Sequence, residues 1–199
     1  MNGRLDGKKV AILVADGFEQ VEMTEPRRAL EEAGAGTDLI SPNPDKVKGW
    51  QFTEWGDEFK VDIPLANANG DDYDALMLPG GVMNPDKLRR NHGALCFVRS
   101  FFEAGKPVAA ICHAPWTLIE ARVVRGRRMT SFSSIQTDLK NAGAIWADEP
   151  VITDNGLVTS RNPGDIPAFN QKMIEEFAEG LHPTVHAAQG TNVSAAPPA

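Results

Sequence analysis

The run Pro107-Val-Ala-Ala-Ile111, followed at once by Cys112-His113 and then by Ala114-Pro-Trp-Thr-Leu-Ile-Glu120, decides how this chain folds. Pro107 to Ile111 carries no charge, which suits a strand covered on both faces. Helical composition resumes at Ala114 and runs to Ala121, so Cys112-His113 is the junction between strand and helix. Ala110 and Ala114 flank it as small-x-nucleophile-x-small, the pattern of a tight turn that presents a nucleophile. The following helix would bring unpaired N–H groups and a positive dipole end toward the sulfur.

Working outward, Val10 to Val14 reads as a central buried strand, and Glu19 to Ala33 as a helix stopped by Gly34 and disturbed at Pro26. Thr37 to Ile40 is a second strand. The stretch from 45 to 72 mixes glycines with Trp50, Phe52, Trp55 and Phe59 without helical period, which predicts irregular strands in a hairpin. Ala75 to Leu78 is a buried strand that runs into Pro79-Gly80-Gly81, and Ala94 to Ala104 is an amphipathic helix. A strand at 129–132, a helix at 135–142, a hairpin turning at Asn155-Gly156 and a helix from Asp165 to Glu179 complete the order. Strands alternating with helices predict one α/β domain over residues 9–180 with a mostly parallel sheet, whose ligands bind beyond the carboxyl ends of the strands. Gly80-Gly81 and Cys112 both fall at that end. Residues 181–199, rich in Ala, Pro, Gly and Ser, read as a flexible tail.

The chain has 199 residues and a formal charge of -7, which disfavours charge-driven binding to nucleic acid or anionic membranes. The apolar run after Lys8-Lys9 breaks at Asp16-Gly17, too short to span a bilayer, so a cytoplasmic protein is expected. Two cysteines build no disulfide scaffold, no Cys/His spacing suggests zinc, and no cofactor or metal is expected. Cys96 reads as a small buried apolar residue, Arg125, Arg127 and Arg128 as a solvated turn, and Trp50, Trp55 and Trp116 as core packing in preference to substrate walls.

Four motifs occur in order: Gly17-Phe-Glu-Gln-Val-Glu22, Leu78-Pro-Gly-Gly81, Gly105-Lys-Pro-Val-Ala-Ala-Ile-Cys-His-Ala-Pro115 and Ser160-Arg-Asn-Pro-Gly-Asp165. With them the chain resembles the PfpI intracellular peptidase and stress-protein family, DJ-one superfamily, related to class I glutamine amidotransferases; Pro115-Trp116 and Asn84-Pro-Asp-Lys-Leu88 are most similar to its general-stress-protein branch. The resemblance implies a flavodoxin-like three-layer sandwich with a nucleophile elbow. It makes Cys112 the nucleophile and Glu19 the carboxyl group beside the sulfur, protonated and donating a hydrogen bond. The N–H groups of Gly81 and His113 would form an oxyanion hole. His113 would be general base and acid, oriented by an acid from a neighbouring subunit, for which Asp86 is the nearest match despite a shorter side chain. Asn162 stands where many members carry histidine. The implied function is a stress-response cysteine hydrolase, a peptidase, deglycase or glyoxalase acting on a peptide or small carbonyl substrate. The implied assembly is a dimer or larger homo-oligomer with the site near the interface. A redox sensor working through Cys112, or a noncatalytic chaperone, are the alternatives.

Overall fold

The computed structural model describes residues 3–182. Strand β1 (Lys9–Leu13) is buried from Val10 onward and lies inside the sheet, between two parallel neighbours. The short strand β2 (Phe18–Glu19) leads into helix α1 (Gln20–Glu32), which buries Glu22, Met23, Pro26 and Leu30. Pro26 does not end this helix; its ring packs inward, which offsets the hydrogen bond that its missing N–H forfeits. Strand β3 (Gly36–Ser41) returns beside β1, and β4 (Lys46–Gln51) pairs antiparallel with β5 (Glu54–Lys60) in the expected hairpin. This hairpin joins β2 in a separate three-stranded sheet. Strand β6 (Ile63–Pro64) closes one edge of the main sheet.

Strand β7 (Ala75–Leu78) is fully buried and precedes helices α2 (Met83–Leu88) and α3 (His92–Glu103). Strand β8 (Val108–Ile111) and helix α4 (Pro115–Glu120) flank the Cys112 junction. Strand β9 (Arg128–Met129), helix α5 (Gln136–Asn141) and strand β10 (Ile145–Trp146) form a small unit, followed by β11 (Val151–Asp154), β12 (Leu157–Ser160) and helix α6 (Ile166–Glu179).

The main sheet has seven strands in the order β11-β12-β8-β7-β1-β3-β6, parallel except for β11. Period-two alternation divides it between two cores: Ala11, Leu13, Leu76 and Leu78 face one, Val10, Ile12, Ala75 and Met77 the other. This is the mostly parallel flavodoxin-like sandwich, with helices covering both faces.

Three local expectations are corrected. Strand β9 ends at Met129 because Thr130 and Phe132 turn toward the main sheet, their N–H groups donating to Thr159 Oγ1 at 3.0 Å and Cys112 O at 2.9 Å. Cys96 is exposed, since the apolar stripe of α3 runs through Ala94, Leu95, Phe97, Val98 and Phe101 and leaves it outside. Arg127 is mostly buried, donating to the carbonyls of Asp154 and Asn155 at 3.0 and 3.3 Å, so the basic run is only partly solvated. At the start of the expected tail, the His182 N–H is fixed to Gly105 O at 2.7 Å, and residues 183–199 lie outside the described residues. Among the described residues no helix is long and apolar enough to cross a membrane.

Candidate active site

Cys112 adopts a positive φ of 63°, a left-handed conformation that few residues other than glycine hold. Its backbone is clamped there: the N–H donates to Ser160 O at 3.0 Å and the carbonyl accepts from Phe132 N–H at 2.9 Å. The sequence reading of a strained turn is therefore met, but α4 is only six residues long. In place of a long helix dipole, the sulfur receives the backbone N–H groups of Gly81 and His113.

The turn after β7 must approach this sulfur closely. A Cβ on Gly80 would stand 2.6 Å from Cys112 Cβ and 2.5 Å from Glu22 Oε2, so only glycine fits. Buried Asn84 holds the turn: its Nδ2 donates to Pro79 O at 2.8 Å and Gly80 O at 3.1 Å, and its Oδ1 accepts from Ala15 N–H at 2.7 Å. Sequence reasoning took Asn84 only as part of the stretch resembling the general-stress-protein branch and gave it no role at the site. Its signal was a polar residue at the start of a helix after Gly-Gly.

The carboxyl group beside the sulfur is Glu22, not Glu19. Glu22 is completely buried, accepts the Gly80 N–H at 3.0 Å through Oε2 and shares a hydrogen bond with Cys112, while Oε1 meets no nitrogen or oxygen partner. Burial pushes its pKa up to about 8, so the group keeps its proton at neutral pH. Burial together with the adjacent carboxyl group raises the Cys112 thiol, and the two N–H groups oppose that shift. Glu19 caps α1 in an extended conformation, so its side chain departs toward the β4–β5 hairpin, where its carboxyl group accepts the Phe52 N–H. Burial raises its pKa too, and its Oε1 has no partner. The two glutamates stand one helical turn apart, and only the second faces the sheet end.

His113 places Nδ1 3.1 Å from Cys112 Sγ and Nε2 3.1 Å from Ser134 Oγ, with its ring stacked on Phe132 at 4.7 Å. Burial lowers its pKa, which favours the neutral imidazole. Ser134 was not foreseen; the Ser133-Ser134 pair after the turn at Phe132 was the available hint. Within this chain Asp86 pairs with Arg89 at 2.7 Å, and it is Ser134 that meets the outer nitrogen of His113. Arg89 in turn covers the Trp116 ring at 4.8 Å. Asn162 accepts the Gly164 N–H at 2.9 Å and shapes the loop that brings Pro163 to the site.

These residues open into a pocket of about 460 Å³ walled by Trp50, Phe52, Val82, Met83, Phe132 and Pro163, with Glu19, Glu22, Gly81, Cys112 and His113 supplying its polar surface. Trp50 is thus a pocket wall rather than core, edge-on to half-exposed Trp55 at 5.4 Å. Trp116 is partly buried beside His113. Glu176, Glu179 and His182 bring ligand-type atoms within 4.8 Å of one another at the end of α6, and none of them lines the pocket.

Residues 8–176 match the DJ-1/PfpI family. General stress protein 18 of Bacillus subtilis is 44% identical over 170 residues, which cover 84% of this chain and 96% of that protein. Deglycase TK1284 of Thermococcus kodakarensis is 41% identical over 167 residues, covering 84% and 98%. The crystal structure of Drosophila melanogaster DJ-1beta matches with a TM-score of 0.79 at 29% identity, covering 86% of this chain and 90% of that one. Sequence and fold agree, and the chain belongs to the DJ-1/PfpI family.

Proposed function

We propose that this protein is a cysteine-dependent hydrolase of the stress response, acting on peptides or on carbonyl adducts of amines. The observation that carries the reading is the convergence on one sulfur: an imidazole nitrogen at 3.1 Å, a buried protonated carboxyl group and two backbone N–H groups. For an amide substrate, the Cys112 proton passes to His113 Nδ1 and the sulfur forms a bond to the carbonyl carbon. The carbonyl π pair moves onto oxygen, where the N–H groups of Gly81 and His113 receive it. Collapse breaks the C–N bond, and the proton on His113 goes to the departing amine. Water, deprotonated by the same imidazole, then cleaves the thioester and restores the thiol. The names of General stress protein 18 and Deglycase TK1284 support the stress role and the carbonyl-adduct class.

A cytoplasmic homo-oligomer fits this reading, in which Asp86 of one subunit approaches His113 of another. The test is a kinetic screen of peptides, glycated amines and small dicarbonyls against wild type and Cys112→Ser. Loss of turnover in the variant is expected, and unchanged turnover would overturn the hydrolase. Redox sensing is a second reading, favoured by the protonated Glu22, which can donate to an oxygen added on the sulfur. Peroxide titration followed by intact-mass measurement separates the two, since a sensor accumulates a stable oxidised Cys112 without turnover.

A further inference from the structure

We propose that the Cys112 pocket selects substrates bearing a cationic or neutral amine beside the reacting carbonyl and turns away anionic ones, with Glu19 reading that amine. The inference rests on the hydrolase reading only for the word substrate, because charge selection at the sulfur needs no turnover. Among the described residues the pocket lining contains two acids, an imidazole whose charged form burial disfavours, and apolar walls, with no lysine or arginine. The cations close in sequence to the lining residues Pro163 and Met83 are engaged by other groups, and Lys48 lies over the Trp55 ring at 5.8 Å. Arg161 is held by Asp165 and Asp148 at 2.8 Å each, and Lys87 donates to Asp16 O at 3.1 Å.

Glu19 supplies the positive half of the argument. Its side chain is nine-tenths buried, and while Phe52 N–H satisfies part of the carboxyl group, Oε1 is left without a partner. A buried acceptor in that condition is costly, and a ligand N–H removes the cost. The rings of Trp50 and Phe52, which line the pocket with it, attract an ammonium group. A carboxylate or phosphate entering the same space would lose its hydration and meet the Glu19 carboxyl group, with no lysine or arginine in the lining to compensate. Amines modified by a dicarbonyl, or peptides with a free amino group near the scissile bond, satisfy the pocket. Carboxylate-bearing thiol adducts do not.

The test uses Cys96→Ser, which leaves Cys112 as the one thiol, and compares its modification by aminoethyl and sulfonatoethyl methanethiosulfonate, each normalised to free cysteine. The cationic reagent should react roughly tenfold faster than the anionic one. Glu19→Gln should bring the ratio close to that of free cysteine, and Glu19→Asp, which keeps the carboxyl group, should retain most of it. A parent ratio no different from free cysteine, or an unchanged ratio in folded Glu19→Gln, overturns the proposal. Failure of the hydrolase reading shows instead as turnover surviving Cys112→Ser, which leaves the reagent ratio untouched.

Discussion

Glu22 is completely buried against Cys112, and the two share one hydrogen bond at the floor of the pocket. The pair is a proton store. With Glu22 neutral, its O–H can stabilise a sulfur anion; once Glu22 ionises, its charge opposes one.

The pH dependence of stability follows from that burial. Glu22 titrates near 4.5 when unfolded and at about 8 in the native chain. Between those values the native state holds a proton that the unfolded state has lost, so stability falls as pH rises through this window, by up to about 1.4 kcal/mol per unit. Below the window this group contributes no slope, and above it the loss is complete. Glu22→Gln should flatten the trend, as read by urea unfolding at several pH values. Parallel curves for the two proteins would contradict the assignment.

The backbone of Cys112 predicts an inverted order of substitutions. Glycine in place of alanine ordinarily weakens structured positions, but at φ 63° the alanine Cβ is strained. Cys112→Gly should be more stable than Cys112→Ala by about 1 kcal/mol, with both inactive. Thermal melts that rank alanine above glycine would show that the turn relaxes in the variants.

The two thiols should separate by reagent size. Cys96 is exposed on α3, whereas Cys112 is 6% exposed at the bottom of a pocket. A bulky maleimide should label Cys96 at least roughly tenfold faster. Peptide mapping that finds Cys112 labelled first would mean that the pocket opens far wider than this arrangement.

Asp86 offers a test of assembly. If Asp86 orients His113 across a subunit boundary, mixing Cys112→Ser with Asp86→Ala subunits should restore part of the activity that each lacks. If it only pairs with Arg89, Asp86→Ala should cost under about 1 kcal/mol and leave turnover intact, as exposed pairs do. Sedimentation of a fully active monomer would rule out the shared site.

Much of the fold was legible because buried parallel strands such as Ala75–Leu78 and Val108–Ile111 are uninterrupted apolar runs, and glycines punctuate their turns. Cys112 was legible for a related reason, since a strand that runs directly into a helix forces its junction residue into a tight turn. The choice between Glu19 and Glu22 was not. Both lie in one motif, and which of them faces the sulfur depends on where α1 begins, a boundary that propensity does not fix. Ser134 and Asn84 act through contacts distant in sequence, with nothing local to mark them. Cys96 was misread because a hydrophobic side chain in an amphipathic helix is buried only if it lies on the stripe.

The β4–β5 hairpin belongs to its own small sheet, while Cys112 is clamped between β12 and the segment after β9. The reactive point and the wall carrying Trp50 and Phe52 thus belong to different sheets, joined through β2. A hairpin of different length or sequence could be exchanged without disturbing the strained turn, which gives this architecture a route to new substrates that leaves its chemistry inherited intact. Grafting hairpins between relatives is the corresponding engineering strategy, and the β2 edge is the seam along which to cut.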